Sequence, residues 1–280
     1  MIVNILTPDS KMPNLAAMKI SAYHKQLGDK VTLNFPYFYG MSADLTYASV
    51  LFKYTPDPIA DLVGGPKYPE GKLPPEMEQM RPDYAIYPKI DYSMGYTYKA
   101  CPRTCDFCIV PKQRNDDTHY SIWDFHDPRF QKIMLMNNNT FADPDWRNTF
   151  AEIADAGLTV IEHGFDARLV GEEQAQAVKK LKREGFLHFA WDYPEHEADV
   201  LRGLCNLKKA KVSKVMVYVM IGHTTPEEDM HRVMVIDAMG YDPYIMALDK
   251  SNEYQRRFAR WVNAKQVFRT VRWQDYKHGR

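Results

Sequence analysis

Short apolar runs and stretches of helical spacing follow one another along this chain from its first residues. Residues 2 to 6 (IVNIL) are an apolar run, and 13 to 29 (PNLAAMKISAYHKQLGD) carry Leu15, Met18 and Tyr23 near one helical face, with Gly28 as the stop. The alternation of Val31 and Leu33 in 30 to 35 (KVTLNF) predicts a strand. Residues 43 to 52 (ADLTYASVLF) fit a short helix or a strand. The run 64 to 83, rich in Pro, Gly and charge, predicts a linker or long loop. Residues 1 to 85 are therefore expected to form a small Rossmann-like α/β unit.

A steadier rhythm follows. An apolar stretch at 132 to 139 (KIMLMNNN) ends in three amides, and 143 to 157 (DPDWRNTFAEIADAG) reads as a helix with Pro near its start and Gly after its end. A strand at 158 to 169, an amphipathic helix at 172 to 185 closed by Gly185, a strand at 186 to 193 and a helix near 195 to 209 come next. A strand at 214 to 225, a helix at 226 to 240 and a strand at 242 to 250 continue the series. Strand–helix units in series predict a parallel sheet with helices outside it. The expected fold class is α/β, with a partial parallel (β/α) barrel over 86 to 250 and a basic, aromatic extension over 251 to 280. Polar residues gather where each predicted strand ends, at Asn137, Asn138, Asn139, Asp166, Arg168, Asp192, His223 and Thr224. In parallel barrels that rim carries the chemistry.

Composition narrows the classes. Lys plus Arg equals Asp plus Glu at 36 each, so there is no global pull toward nucleic acid or an anionic membrane. No apolar run approaches the roughly 18 residues of a membrane span, and MIVNILTPDS lacks the pattern of a secretory signal. The expected setting is the cytoplasm, without membrane association.

Three of the four cysteines fall within eight residues, Cys101-Pro-Arg-Thr-Cys105-Asp-Phe-Cys108. Thiols this close, in a chain with so few, read as metal ligands rather than as a disulfide framework. Zinc would need a fourth ligand, which His119 or His126 could supply. A 4Fe-4S cluster takes one thiolate per iron, so three thiolates leave one iron open to a non-protein ligand. Cys205, on a predicted helix with Leu201 and Leu204, reads as a small buried residue.

The spacing Cys101-x3-Cys105-x2-Cys108, with Phe107 before the last cysteine and strand–helix alternation after it, resembles the radical S-adenosylmethionine (radical SAM) enzymes over residues 90 to 250. That resemblance implies a 4Fe-4S cluster on the three cysteines, with S-adenosylmethionine chelated at the open iron. It also implies reductive cleavage to a 5′-deoxyadenosyl radical, and hydrogen abstraction from a substrate in the barrel. By the same resemblance Asn137, Asn138 and Asn139 contact the methionyl amine, and Arg168 the methionyl carboxylate. Asp166 suits ribose hydroxyls, Asp192 a ribose or substrate contact or a helix cap, Ile221 with Gly222 the adenine, and Met246 the closing wall of that pocket. The implied partners are an electron donor such as flavodoxin or ferredoxin and an unidentified substrate: a small molecule or nucleotide is favoured, with RNA or a peptide also fitting. The absence of further cysteines argues against an auxiliary cluster.

The first 85 residues also resemble the cobalamin-binding domain that precedes the barrel in some of these enzymes. The cobalt-ligating pattern Asp-x-His-x-x-Gly is replaced here by Asp9-Ser10-Lys11-Met12-Pro13-Asn14, so the expectation is that fold without cobalamin. From Tyr254 onward, Arg256, Arg257, Arg260, Lys265, Arg269, Arg272, Lys277 and Arg280 alternate with Phe258, Trp261, Phe268, Trp273 and Tyr276. Such a tail could track phosphates and stack bases, or could dock its aromatics on the barrel. Two readings from other classes stay open: a zinc-stabilised nucleic-acid-binding protein using that tail, and a barrel that holds a cluster without turnover and serves as a binding partner. Lysine-rich runs at Lys179 to Arg183 and Lys208 to Lys211 read as solvated helix faces.

Overall fold

The structure is a computed structural model and describes residues 1–36, 42–113, 116–162 and 164–277, the side chain of Glu162 excepted. Arg280 of the basic tail lies outside these residues. The chain divides into two compact units. Unit 1 comprises residues 1–96, 103–116 and 120–134; unit 2 comprises 97–102, 117–119 and 135–280. The boundary expected near residue 85 falls inside unit 1.

Unit 1 begins with β1 (Ile2–Leu6), α1 (Leu15–Gln26), β2 (Lys30–Leu33), β3 (Leu45–Ser49), β4 (Leu62–Gly64) and a single turn of helix, α2 (Pro75–Glu78). The stretch open to either reading at 43 to 52 is thus a strand. The sheet of β1 to β4 is all parallel, in the order β2-β1-β3-β4, in keeping with the α/β class expected. Val3, Ile5, Ala17, Ile20, Tyr47 and Met77 form its core. Asn14 caps α1 by accepting from the Ala17 N–H at 3.0 Å, and its amide donates to Ser49 Oγ at 2.9 Å. Asp9, where the cobalamin motif would begin, ties down the chain after β3: its carboxylate accepts from Leu51 and Phe52 N–H and from Thr55 Oγ1 at 2.6 Å. Burial opposes its ionisation, but these bonds, with that from Thr55 foremost, hold the carboxyl below its ordinary range. The short strand β5 (Ser93–Gly95) neighbours β6 (Lys132–Leu135).

Unit 2 contains α3 (Trp146–Asp155), β7 (Thr159–Glu162), α4 (Glu172–Lys180), β8 (Leu187–Ala190), α5 (Glu197–Lys209), β9 (Val215–Ile221), α6 (Pro226–Ala238), β10 (Asp242–Ala247), α7 (Glu253–Asn263) and α8 (Lys265–Thr270). Strands β8, β9 and β10 form a parallel sheet in the order β10-β9-β8. The sheets do not close into a barrel. Helix α4 ends at Lys180, five residues before the expected stop at Gly185. Residues 182–184 are instead drawn to β7: Val160 N–H donates to Lys182 O at 2.9 Å, and Glu184 N–H to Val160 O at 3.0 Å. One face of the β8–β10 sheet carries Leu187, Phe189, Val215, Val217, Val219, Ile221 and Ile245. It packs in a single core with Val200 and Leu204 of α5, Val233 and Ile236 of α6, and Phe258 and Trp261 of α7. The opposite face carries His188, Tyr218, Met220, Tyr244 and Met246, all half-buried or exposed. Burial alternates strictly along β9, as it does in a strand with one face in the core.

Candidate functional site

The amides at the end of β6 organise the segment that carries Cys101. Asn137 is buried, and its Oδ1 accepts from the backbone N–H of Thr97 at 2.9 Å and of Tyr98 at 3.1 Å. Its Nδ2 donates to Thr97 Oγ1 at 2.8 Å and Thr140 Oγ1 at 3.3 Å, so all its hydrogen-bonding capacity is used. Asn138 Nδ2 donates to Lys99 O at 2.5 Å. Asn139, only 2% exposed, directs Nδ2 toward Cys101 Sγ at 3.9 Å and Asp166 Oδ2 at 3.5 Å. The Asn139 Oδ1 is buried with no hydrogen-bond partner. Desolvating an amide oxygen without compensation costs about 1–3 kcal/mol, so this atom is poised to accept from a donor. Two of the three asparagines therefore shape the loop, and one presents an unfilled acceptor beside a thiol.

The polar strand ends of unit 2 form a connected series. Arg168 grips Asp166 through Nε at 2.7 Å and Nη2 at 2.9 Å, and both are largely buried rather than a loose surface pair. Helix α5 seats the turn that carries them. Arg202 donates to Arg168 O at 3.0 Å and Asn206 to Val170 O at 3.0 Å, and between them Gly203 presents bare backbone to Ala167 O. Asp192, after β8, accepts from Met220 N–H at 3.0 Å, a strand-to-strand tie rather than a helix cap. Burial pushes its carboxyl up; the Met220 bond and the positive fields of Arg232, His223 and Arg168 pull the other way.

Arg232 went unnoticed in the sequence and is fully buried. It pairs with the equally buried Asp229 at 2.7 Å and donates to the carbonyls of Trp191 at 3.0 Å, Asp192 at 2.5 Å and Met220 at 3.2 Å. It thus clamps the ends of β8 and β9 together. The one hint in the sequence is an Asp–Arg pair three residues apart, a spacing that more often marks a wet helix face.

The cysteines are divided between the units: Cys101 belongs to unit 2, Cys105 and Cys108 to unit 1. None is in a disulfide, and all three are half-buried. Cys108 N–H donates to Cys105 O at 3.0 Å, which makes a turn, and Phe107 within it is half-buried. Among the described residues, no three His, Cys, Asp or Glu side chains are gathered into a metal site. The histidines weighed as a fourth zinc ligand have other partners: His119 Nδ1 meets Asp143 Oδ2 at 2.7 Å, and His126 Nδ1 meets Ser93 Oγ at 3.0 Å.

The remaining residues separate. Ile221 ends β9 with its side chain in the core, and Gly222 follows at φ +107°, with the Gln255 amide packed where a Cβ would lie. Met246 is 44% exposed on the open face of β10, beside Met220 in register. Cys205, expected to be buried, is exposed on α5 because its neighbours Gly203 and Leu204 take the inward face. In the tail, Phe258 and Trp261 lie in the unit 2 core with Phe268, Trp273 and Tyr276 packed against it, so the aromatics dock rather than stand free to stack.

No protein-family model, curated protein or solved structure matches the chain. Among the described residues no helix is long and apolar enough to cross a membrane.

Proposed function

We propose that the chain is a radical S-adenosylmethionine enzyme. The observation that supports this most directly is the buried, unpartnered Asn139 Oδ1 beside the Cys101 thiol. An amine N–H is a donor that such an oxygen would accept from, and the methionyl end of S-adenosylmethionine carries one. Cys101, Cys105 and Cys108 would be the ligands of a 4Fe-4S cluster, which would supply the electron that cleaves the sulfonium.

The residues of the chain have distinct parts in this reading. Asn137 and Asn138 fix the approach to Cys101. Asn139 accepts from the methionyl amine and keeps Asp166 within reach. Arg168, held rigid by Asp166, offers positive charge to the methionyl carboxylate, and the Asp166–Asp192 stretch of the rim faces ribose hydroxyls. A partial barrel in unit 2 is part of the same reading. It is supported by the bridge from β7 to the residues just before β8, and by helices α5, α6 and α7 packed in one core with a face of the β8–β10 sheet. The substrate is a small molecule or nucleotide, and a flavodoxin or ferredoxin supplies the electron.

The test is anaerobic. Protein reconstituted with iron and sulfide receives dithionite and S-adenosylmethionine, and 5′-deoxyadenosine is sought by mass spectrometry. Formation that depends on each of Cys101, Cys105 and Cys108 and persists in Cys205→Ala sustains the reading. A colourless protein with one bound zinc and no deoxyadenosine overturns it in favour of a structural zinc loop.

A further inference from the structure

Two lysine-rich runs, separate in sequence, meet at one end of unit 2. Lys179 Nζ donates to Lys211 O at 2.7 Å, and Arg183 Nη2 donates to Ser213 O at 2.8 Å, so the stretch after α4 lies directly on the stretch after α5. Lys179, Lys182, Lys208, Lys211 and Lys214 are all exposed there, and Arg183 is half-buried among them. Within 178–184 and 206–214 the only acid is Glu184.

Helix ends explain part of this charge. Lys179 and Lys208 sit in the last turns of α4 and α5, where a cation complements the helix dipole. That account does not reach Lys182, Lys211 or Lys214, which lie beyond the helices. Lys211 and Lys214 also have φ of +57° and +54°. The left-handed region is the place for Gly or Asn, and a lysine there is strained. Two lysines three residues apart hold that conformation, both exposed and both within the same positive field.

We infer that this end of unit 2 is a docking surface for the phosphate backbone of a nucleic acid. Charge complementarity points to a polyanion, and the lack of any apolar anchor points away from a protein. Protein interfaces draw their energy from buried aromatic and aliphatic side chains, and among the described residues no large exposed apolar side chain falls in either run. Phosphate contacts need only cations. With Phe258 and Trp261 of the tail in the core and Phe268, Trp273 and Tyr276 packed against it, binding here rests on charge.

The experiment uses the full chain and fluorescence anisotropy with a labelled 20-base-pair RNA duplex, a DNA duplex of the same sequence and poly-L-glutamate. The expected result is duplex binding whose log affinity falls linearly with log salt. Lys211→Glu with Lys214→Glu should weaken it about tenfold or more, and lower the salt slope by about one for each phosphate no longer neutralised. Lys211→Gly with Lys214→Gly is the companion variant: glycine relieves the left-handed backbone, so the thermal midpoint holds or rises while duplex affinity falls. RNA bound over DNA, or the reverse, names the preferred nucleic acid within the inference. Absence of salt-dependent binding to both duplexes, or binding unchanged in the glycine pair, overturns it. Poly-L-glutamate bound as tightly as either duplex overturns it in favour of an acidic protein.

Discussion

Asn139 reaches toward the Cys101 sulfur at 3.9 Å with its amide nitrogen and leaves its own carbonyl oxygen buried and without a partner. Two residues earlier, Asn137 has every donor and acceptor engaged. The same side chain therefore does two jobs, and substitution separates them. Asn137→Ala strands two buried N–H groups, at about 1–3 kcal/mol each, and should cost about 2–4 kcal/mol of stability. Asn139→Ala should leave the urea midpoint nearly unchanged and weaken S-adenosylmethionine binding about tenfold or more, measured by calorimetry on reconstituted protein. If both variants lose only stability, Asn139 has no ligand.

How much of this was legible in the sequence follows from how local each cause is. The α3, α5 and α6 helices and the β9 strand fall within a few residues of their expected places, because each carries its own period and end signals. The three-residue strands β4 and β5 have too few positions to show a period. Helix α4 was overrun because Leu181 to Glu184 suit a helix locally and are taken up by a non-local bridge to Val160. The rim at the strand ends was visible as polar residues after apolar runs. That Asn137 is structural while Asn139 is left open was not, since it depends on Thr97 and Tyr98, some forty positions away. Arg232 was hidden for the same reason: its carbonyl partners come from the ends of two other elements.

Arg232 offers a second measurable consequence. Arg232→Met leaves the buried Asp229 carboxylate without its cation and frees the carbonyls of Trp191, Asp192 and Met220. Removing one partner of a buried pair costs about 3–5 kcal/mol. Urea unfolding should show that loss, and the double change Arg232→Met with Asp229→Leu should recover much of it. A single variant within 1 kcal/mol of the parent would mean that the clamp contributes little.

Gly203 links α5 to the Asp166–Arg168 turn. An ideal Cβ there would lie 1.8 Å from Ala167 O, a backbone atom that can yield only by moving the turn. At an ordinary exposed helix position Gly→Ala stabilises by about 1 kcal/mol. Here the sign should reverse, with a loss of about 1–3 kcal/mol from overpacking. Because the displaced turn carries Asp166 and Arg168, the proposed function also predicts a fall in S-adenosylmethionine affinity. A Gly203→Ala protein as stable as the parent would refute the close approach.

Asp9 and Asp192 should titrate stability with opposite signs. The Asp9 carboxyl lies below its ordinary range in the fold, where burial is outweighed by the bonds from Thr55, Phe52 and Leu51. The folded state then holds this proton less tightly than the unfolded chain. The stabilisation is complete above the unfolded aspartate value, near 3.9, and is lost as pH falls through the folded one. Asp192 is raised by burial, so the folded state holds its proton more tightly. Its ionisation erodes stability as pH rises from the unfolded value through the folded one. Asp9→Asn should therefore lose stability relative to the parent at pH 7 and approach it at the acid end. Asp192→Asn keeps an acceptor for Met220 N–H and should gain on the parent as pH rises from 4 to 7. Thermal midpoints of the three proteins across that range decide the matter. Parallel curves for Asp192→Asn and the parent would mean that Asp192 ionises in the fold as freely as in the open chain.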